Sequence, residues 1–307
     1  MNTQSNAMNE FDSPRIAPAA LSVTRPIYWS IRRELWENRS IYIVPMAVAA
    51  VTLFGFLIAT IGRALSVANL AQRQALLEEP YTFASLLIMF TTTVVAVFYC
   101  LDALHGERRD RSILFWKSLP VSDLTTVLSK ASIPVLILPL LTFAITVVMQ
   151  FIMLLLSSLA MAGSGLSVAA LWTHFSFFQM SLMLLYHLVA IHGLWYAPIY
   201  AWLLLVSGWA RRAAFLWAAL PPLAIYVVEK IAFNTSHFGA LLGYRLSGGR
   251  EGAAFTAGGM SGGMSMDPLT QIHPGQFLLC PGLWIGLALA AIFLAAAVRL
   301  RRYQGPI

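Results

Sequence analysis

Charge is what this sequence has least of. Asp, Glu, Lys and Arg together make up 11% of its 307 residues, against 59% hydrophobic. A soluble globular domain carries about 25% charged residues, so a water-solvated fold is excluded and a membrane-embedded chain is expected. Lysine is rarer still: Lys117, Lys130 and Lys230 are the whole complement, and none follows a glycine. The phosphate-binding loop Gly-x-x-x-x-Gly-Lys-[Ser/Thr] is therefore missing, so ATP hydrolysis by that machinery is not expected of this chain. Cysteine is equally sparse. Cys100 and Cys280 both lie in apolar runs, which argues against a disulfide framework and for two small thiols. The first forty residues contain no apolar core of the signal-peptide kind. No His-Glu-x-x-His or Cys-x-x-Cys pattern occurs, and no convincing nucleophile and base share a depth in the spans, so no enzymatic activity is expected.

Apolar length is what the chain has instead. Its mean hydropathy is +0.73, and a helix needs about 20 mostly apolar residues to cross a hydrocarbon core of about 30 Å. Six such runs occur, over 41–61, 82–101, 133–159, 177–206, 213–231 and 279–298. The expectation is an all-α membrane protein of six transmembrane helices, occupying 41–302 as one domain. Pro198 is expected to kink the fourth run or to mark its exit from the membrane. Pro134, Pro139, Pro221 and Pro222 are read as lying near helix starts, where a missing N–H matters least.

Orientation follows from the basic residues. With both termini cytoplasmic, fifteen of the twenty Lys and Arg face inward, leaving Arg63, Arg73, Lys230, Arg245 and Arg250 outside. The net charge of +7 is thus divided among short boundary loops and is not a nucleic-acid signal. Residues 1–23 are polar and expected to be disordered, and 303–307 form a short cytoplasmic tail. Residues 24–40 read as an interfacial amphipathic helix: Ile27, Ile31 and Leu35 recur on one face, with Trp29, Trp36, Arg32, Arg33 and Arg39 suited to lipid headgroups. A partner-contacting role for this helix is the alternative to a lipid anchor. Residues 62–81 suggest a short external helix. The long external loop, 232–278, has a Gly- and Met-rich centre; Met260, Met264, Met266, His237 and His273 have the donor types for Cu(I), but the tract reads as a flexible loop, with no metal expected.

Most of the remaining information lies in the loop 102–132. Five charged residues stand together from Glu107 to Arg111, followed by an aromatic turn and Pro120. Asp110 or Ser112 is expected to cap a short helix carrying Ile113, Leu114, Trp116 and Leu119. Ser122 or Asp123 is expected to cap the next helix, which feeds the third span. A loop that merely obeyed the positive-inside rule would hold Lys and Arg, without interleaved Glu107 and Asp110 and without an apolar face. Within the fourth run, His187 and His192 stand near Tyr196 and suggest a polar substrate path; hydrogen bonding to a neighbouring helix is the alternative.

The pattern Glu107-Arg108-x-Asp110-Arg111-Ser112, followed by Ser118-Leu-Pro120-Val-Ser122, resembles the segment between the second and third spans of the permease subunits of the ABC type-2 transporter family. The six spans, the interfacial helix and the large last external loop are similar too. The resemblance implies a coupling helix involving Glu107, Arg108, Asp110, Arg111, Ser112, Ile113, Phe115, Trp116, Leu119 and Pro120. It implies a homodimer or a pseudo-symmetric heterodimer with another permease, paired with two cytoplasmic ABC ATPase subunits that bind ATP and Mg. It also implies a place in the bacterial inner membrane. Spans rich in Leu, Phe, Met and Trp favour an amphipathic or lipophilic cargo. An ATP-independent carrier or channel, or a membrane scaffold or sensor, is the alternative reading.

Overall fold

A computed structural model describes residues 24–64, 70–118, 121–163, 177–249, 274–303 and 305. Every regular element among them is helical. In chain order these are α1 (Thr24–Glu37), α2 (Ser40–Ala64), α3 (Leu70–Ala103), α4 (His105–Arg109), α5 (Ser112–Ser118) and α6 (Asp123–Ser132). A π-helical segment (Ile133–Ile137) leads into α7 (Leu138–Gly163). Next come α8 (Phe177–His187), a second π-segment (Leu188–Trp195), α9 (Ala197–Trp209), α10 (Ala214–Phe233), α11 (His237–Leu246), α12 (Pro274–Leu279) and α13 (Pro281–Tyr303). Six stretches are long and apolar enough to span a membrane: Ser40–Thr60, Pro80–Arg109, Asp123–Ala160, Phe177–Trp195, Ala214–Phe233 and Pro281–Tyr303. Helices are the form such sequences take, because hydrocarbon offers no partner for an unpaired backbone N–H or C=O. The expected disordered N-terminus and the Gly- and Met-rich centre of the long loop lie outside the described residues.

Several boundaries differ from the sequence reading. The helix expected over 62–81 is not separate: α3 starts at Leu70 and runs without a break into the second span. The short helix expected before the third span is likewise its first part. Ser122 caps α6, its Oγ accepting from Thr125 N at 3.1 Å, and the helix then continues through the π-segment into α7. Pro134 sits inside that junction. A wider turn absorbs the hydrogen bond that proline cannot donate. Pro221 and Pro222 lie in the interior of α10 rather than near its start. The fourth run breaks at Tyr196, ahead of Pro198, which occupies the first turn of α9.

The main buried cluster joins Ile41 of α2, Ala96, Tyr99 and Cys100 of α3, Ile133 and Leu138 of the third span, and Tyr200 and Leu204 of α9. A second cluster, including Phe56, Tyr81, Ile88, Met149 and Met153, packs α2, α3 and α7 together. Polar pairs fasten the same helices. Tyr81 and Ser157 share a hydrogen bond of 3.2 Å, Gln150 Nε2 donates to Ser85 Oγ at 2.7 Å, and Thr142 Oγ1 donates to Thr92 Oγ1 at 2.9 Å. Lipid tails are as apolar as leucine, so packing and such bonds hold spans together. Helix α10 stands apart. Ala214 and Ala218 are buried, while Phe215, Leu220, Ile225, Val228 and Ile231 are all exposed.

Candidate functional site

At one end of the bundle, six charged side chains from four helices, α1, α4, α6 and α13, meet. Glu107 of α4 is the centre. Its Oε1 lies 3.2 Å from Lys130 Nζ of α6 and 3.5 Å from Arg33 Nη2 of α1, and its Oε2 accepts from Arg301 Nη1 of α13. Lys130 Nζ also donates to Glu34 Oε1 at 2.7 Å, and the Tyr99 hydroxyl donates to Glu34 Oε2 at 2.9 Å. Arg301 Nε reaches Asp123 Oδ1 at 3.1 Å. Glu34, Glu107, Lys130 and Arg301 are all buried. Two buried acids, Glu34 and Glu107, face two buried bases, Lys130 and Arg301, with Asp123 and the Arg33–Glu37 pair (2.7 Å) at the rim, so each buried charge finds partners that offset its desolvation.

Helix geometry brings these residues together. Arg33 and Glu34 sit on the inner face of α1, and Asp123 and Lys130 lie two turns apart on α6. Glu107 is placed by the turn from α3 to α4, where Ser207 Oγ of α9 accepts from the N–H groups of Leu104 and His105 at 3.0 and 2.9 Å. Arg108 points the other way. Its Nη1 donates to Gly208 O at 2.6 Å and Ala210 O at 3.4 Å, and its Nε donates to Gly305 O at 3.3 Å. A cation there satisfies the free carbonyls that end α9. Arg108 and Glu107, adjacent in sequence, thus tie α4 to α9 and α13 from opposite sides.

Helix α5 projects from this base. The chain turns sharply at Arg111, whose φ of 58° is unusual for a residue with a side chain. Ile113 is buried, while Leu114 and Phe115 are each 59% exposed. Trp116 is half-buried beneath the Arg33 guanidinium, 3.2 Å from its ring centroid. Of the three large apolar residues expected in the coupling helix, Ile113 is inside, Trp116 partly inside and Phe115 outside. The capping expected of Asp110 or Ser112 also differs: Asp110 Oδ1 accepts from Arg109 Nε at 3.2 Å, and Ser112 Oγ donates to Glu107 O at 3.4 Å. Lys117 Nζ reaches Arg302 O at 3.4 Å. Leu119 and Pro120 lie outside the described residues.

Of the residues expected around α5, the structure gathers Glu107, Arg108, Ile113 and Trp116, and leaves Asp110, Arg111 and Phe115 at the surface. Sequence reasoning missed Glu34, Lys130 and Arg301 as members of the cluster. A signal existed for Glu34 alone, a carboxylate on the apolar side of an amphipathic helix.

His187 and His192 are both buried, with ring centroids 5.6 Å apart across the second π-segment. Tyr196 stacks edge-on to His192 at 5.4 Å, and its hydroxyl donates to Leu246 O at 2.9 Å. A cavity of about 10 Å³, lined in part by Thr92, Thr142, His192 and Tyr200, lies beside them. That is space for about one water. Among the described residues no group of three or more His, Cys, Asp or Glu converges to hold a metal. Gly259-Met-Ser-Gly-Gly263 does satisfy the Gly-x-Ser-x-Gly spacing of some hydrolases. It lies outside the described residues, in a Gly- and Met-rich tract of the sequence.

No family model, no curated protein and no solved structure matches this chain. The geometry of the charged cluster and of α5 therefore carries the functional argument.

Proposed function

We propose that this chain is the membrane subunit of an ATP-driven exporter, coupling the work of a separate ATPase to the movement of its spans. One observation carries the reading. Helix α5 offers Leu114 and Phe115 outward on a surface otherwise charged by Arg109, Asp110, Arg111 and Lys117, and it stands on a base of buried ion pairs. An exposed apolar pair ringed by charge is the anatomy of a protein interface, and the base joins α1, α3, α6 and α13 so that a push on α5 moves them as a unit. In this reading the charged end is cytoplasmic, both termini lie on that side, and the membrane is the bacterial inner membrane. The partner ATPase binds ATP and Mg, and this chain holds neither. The exposed apolar length of α10 supports a dimer, as a homodimer or with another permease. The cargo is an amphipathic or lipophilic molecule such as a peptide, antibiotic or lipid.

Co-purification from the native host in mild detergent tests the assignment. The expected result is a stoichiometric soluble ATPase with the wild-type chain, lost with Trp116→Ala while the variant stays in the membrane. Recovery of the wild-type chain alone and intact would overturn it. A second reading, an ATP-independent carrier or channel, rests on the buried His187–His192 pair and would then be tested by proton-dependent flux in vesicles.

A further inference from the structure

At the end of α13 opposite Arg301, helix α11 folds back across the bundle and is fastened at both ends. At its start, Glu229 of α10 accepts from the backbone N–H of His237 at 2.6 Å and of Phe238 at 2.8 Å, and from Thr235 Oγ1 at 2.8 Å. A carboxylate on the free N–H groups of a first helical turn anchors it. At its finish, Arg245 lies across the gap between the fourth span and α13. Its Nη1 donates to Trp195 O at 3.2 Å and its Nη2 to Gly282 O at 2.8 Å, while the guanidinium stacks 4.3 Å from the Trp195 ring centroid. Trp195 returns a bond, Nε1 donating to Arg245 O at 3.0 Å. A side chain at Gly286 would collide with the guanidinium, and one at Gly249, where φ is +66°, would strike the Trp195 ring. The backbone is thus cut away where the arginine and the indole sit.

The arrangement has two unusual properties. Arg245 bonds to backbone carbonyls on two different spans, so its contacts exist only while those spans stay side by side. Helix α11 itself buries no residue completely; besides the end bonds it is held by Tyr244 edge-on to Trp195 at 5.3 Å and by Gly239 packed on the Tyr226 ring. An element with few buried contacts opens at a lower free-energy cost than the core beneath it.

We propose that α11 is a releasable latch: Arg245 holds the second π-segment and α13 together at the end of the bundle opposite the charged cluster, and its withdrawal lets them part. This does not rest on the exporter reading. A carrier or a channel would use the same closure.

Cys280 is a native reporter. It packs, half-buried, against the cluster of Trp195, Phe277 and Leu283 that the latch crosses, whereas Cys100 is fully buried elsewhere. The purified chain in lipid nanodiscs is treated with a charged maleimide, and modification of each cysteine is followed by peptide mass. Arg245→Ala is expected to speed Cys280 modification by about tenfold or more, the change given by a shift of about 1.4 kcal/mol in an open–closed balance, with Cys100 still unreactive. Gly286→Ala, which displaces the guanidinium without removing it, is expected to act in the same direction. Tyr196→Phe removes one bond to Leu246 O and should give a smaller increase, so the test survives if Arg245→Ala fails to fold. The latch is refuted if Cys280 reacts at one rate in wild type and in every folded variant.

Discussion

Lys130→Met is the sharpest test of the charged cluster. Lys130 bridges Glu34 and Glu107, and the side chains of Lys130 and Glu34 are each 3% exposed. Methionine keeps the length and apolar volume of the stem but leaves two buried acids, Glu34 and Glu107, facing one buried base, Arg301. Glu34 then keeps the Tyr99 hydroxyl as its partner, and Glu107 keeps Arg301 and the more distant Arg33. Removing one member of a buried pair costs about 3–5 kcal/mol, because the remaining charge stays desolvated. Replacing both members is far cheaper, so Lys130→Met with Glu34→Gln should recover most of the loss. The assay is equilibrium unfolding in mixed detergent–SDS micelles, read by circular dichroism on wild type, both single variants and the double. Equal stability of wild type and Lys130→Met would refute the reasoning, since it would mean that water already reaches the cluster. Failure of the double variant to recover would deny that Glu34 is the charge left stranded.

Two further outcomes are specific. Gly193→Ala places a Cβ 2.9 Å from Val135 O where the two π-segments touch, and the overpacking is expected to cost about 1–3 kcal/mol in the same unfolding assay; Gly55→Ala, with open space around it, should cost nothing from contact. Glu229→Gln weakens the anchor of α11, so hydrogen exchange at the His237 and Phe238 amides should quicken while the amides of α9 stay protected.

The six apolar runs could be read from the sequence because spanning length and hydropathy are properties of contiguous residues. So could the start of α6, since Ser122 caps it through a bond to a residue three places on. The charged cluster could not. Glu34, Lys130 and Arg301 meet Glu107 or one another across separations of 96 and 194 residues, and nothing local marks them as neighbours. In the orientation argument Lys130 and Arg301 counted as boundary cations, although both are buried in ion pairs. Arg245 was counted as an external loop charge for the same reason. The π-segments were hidden too: their sequences, Ile133–Ile137 and Leu188–Trp195, are as apolar as an ordinary span, and the widened turns arise from Pro134 and from the close approach of Gly193 to Val135 O. The prolines misled in the opposite direction. Pro221 and Pro222 break no helix, because α10 accommodates them within one continuous span.

The third span, capped at Ser122 and running through α6, its π-segment and α7, is longer than a bilayer needs. Its proline-bearing turn is braced against the fourth span where Val135 O meets Gly193. At 1.5 Å per residue, the 10 residues of α6 make an arm of about 15 Å on the charged side, and the 26 of α7 make one of about 39 Å on the other. A stiff beam pivoting at that point multiplies travel in the ratio of its arms, by about 2.6 on the same geometry. Under the proposed coupling role, an ångström of displacement at Asp123, the tip of the short arm, becomes more than two at the tip of the long one.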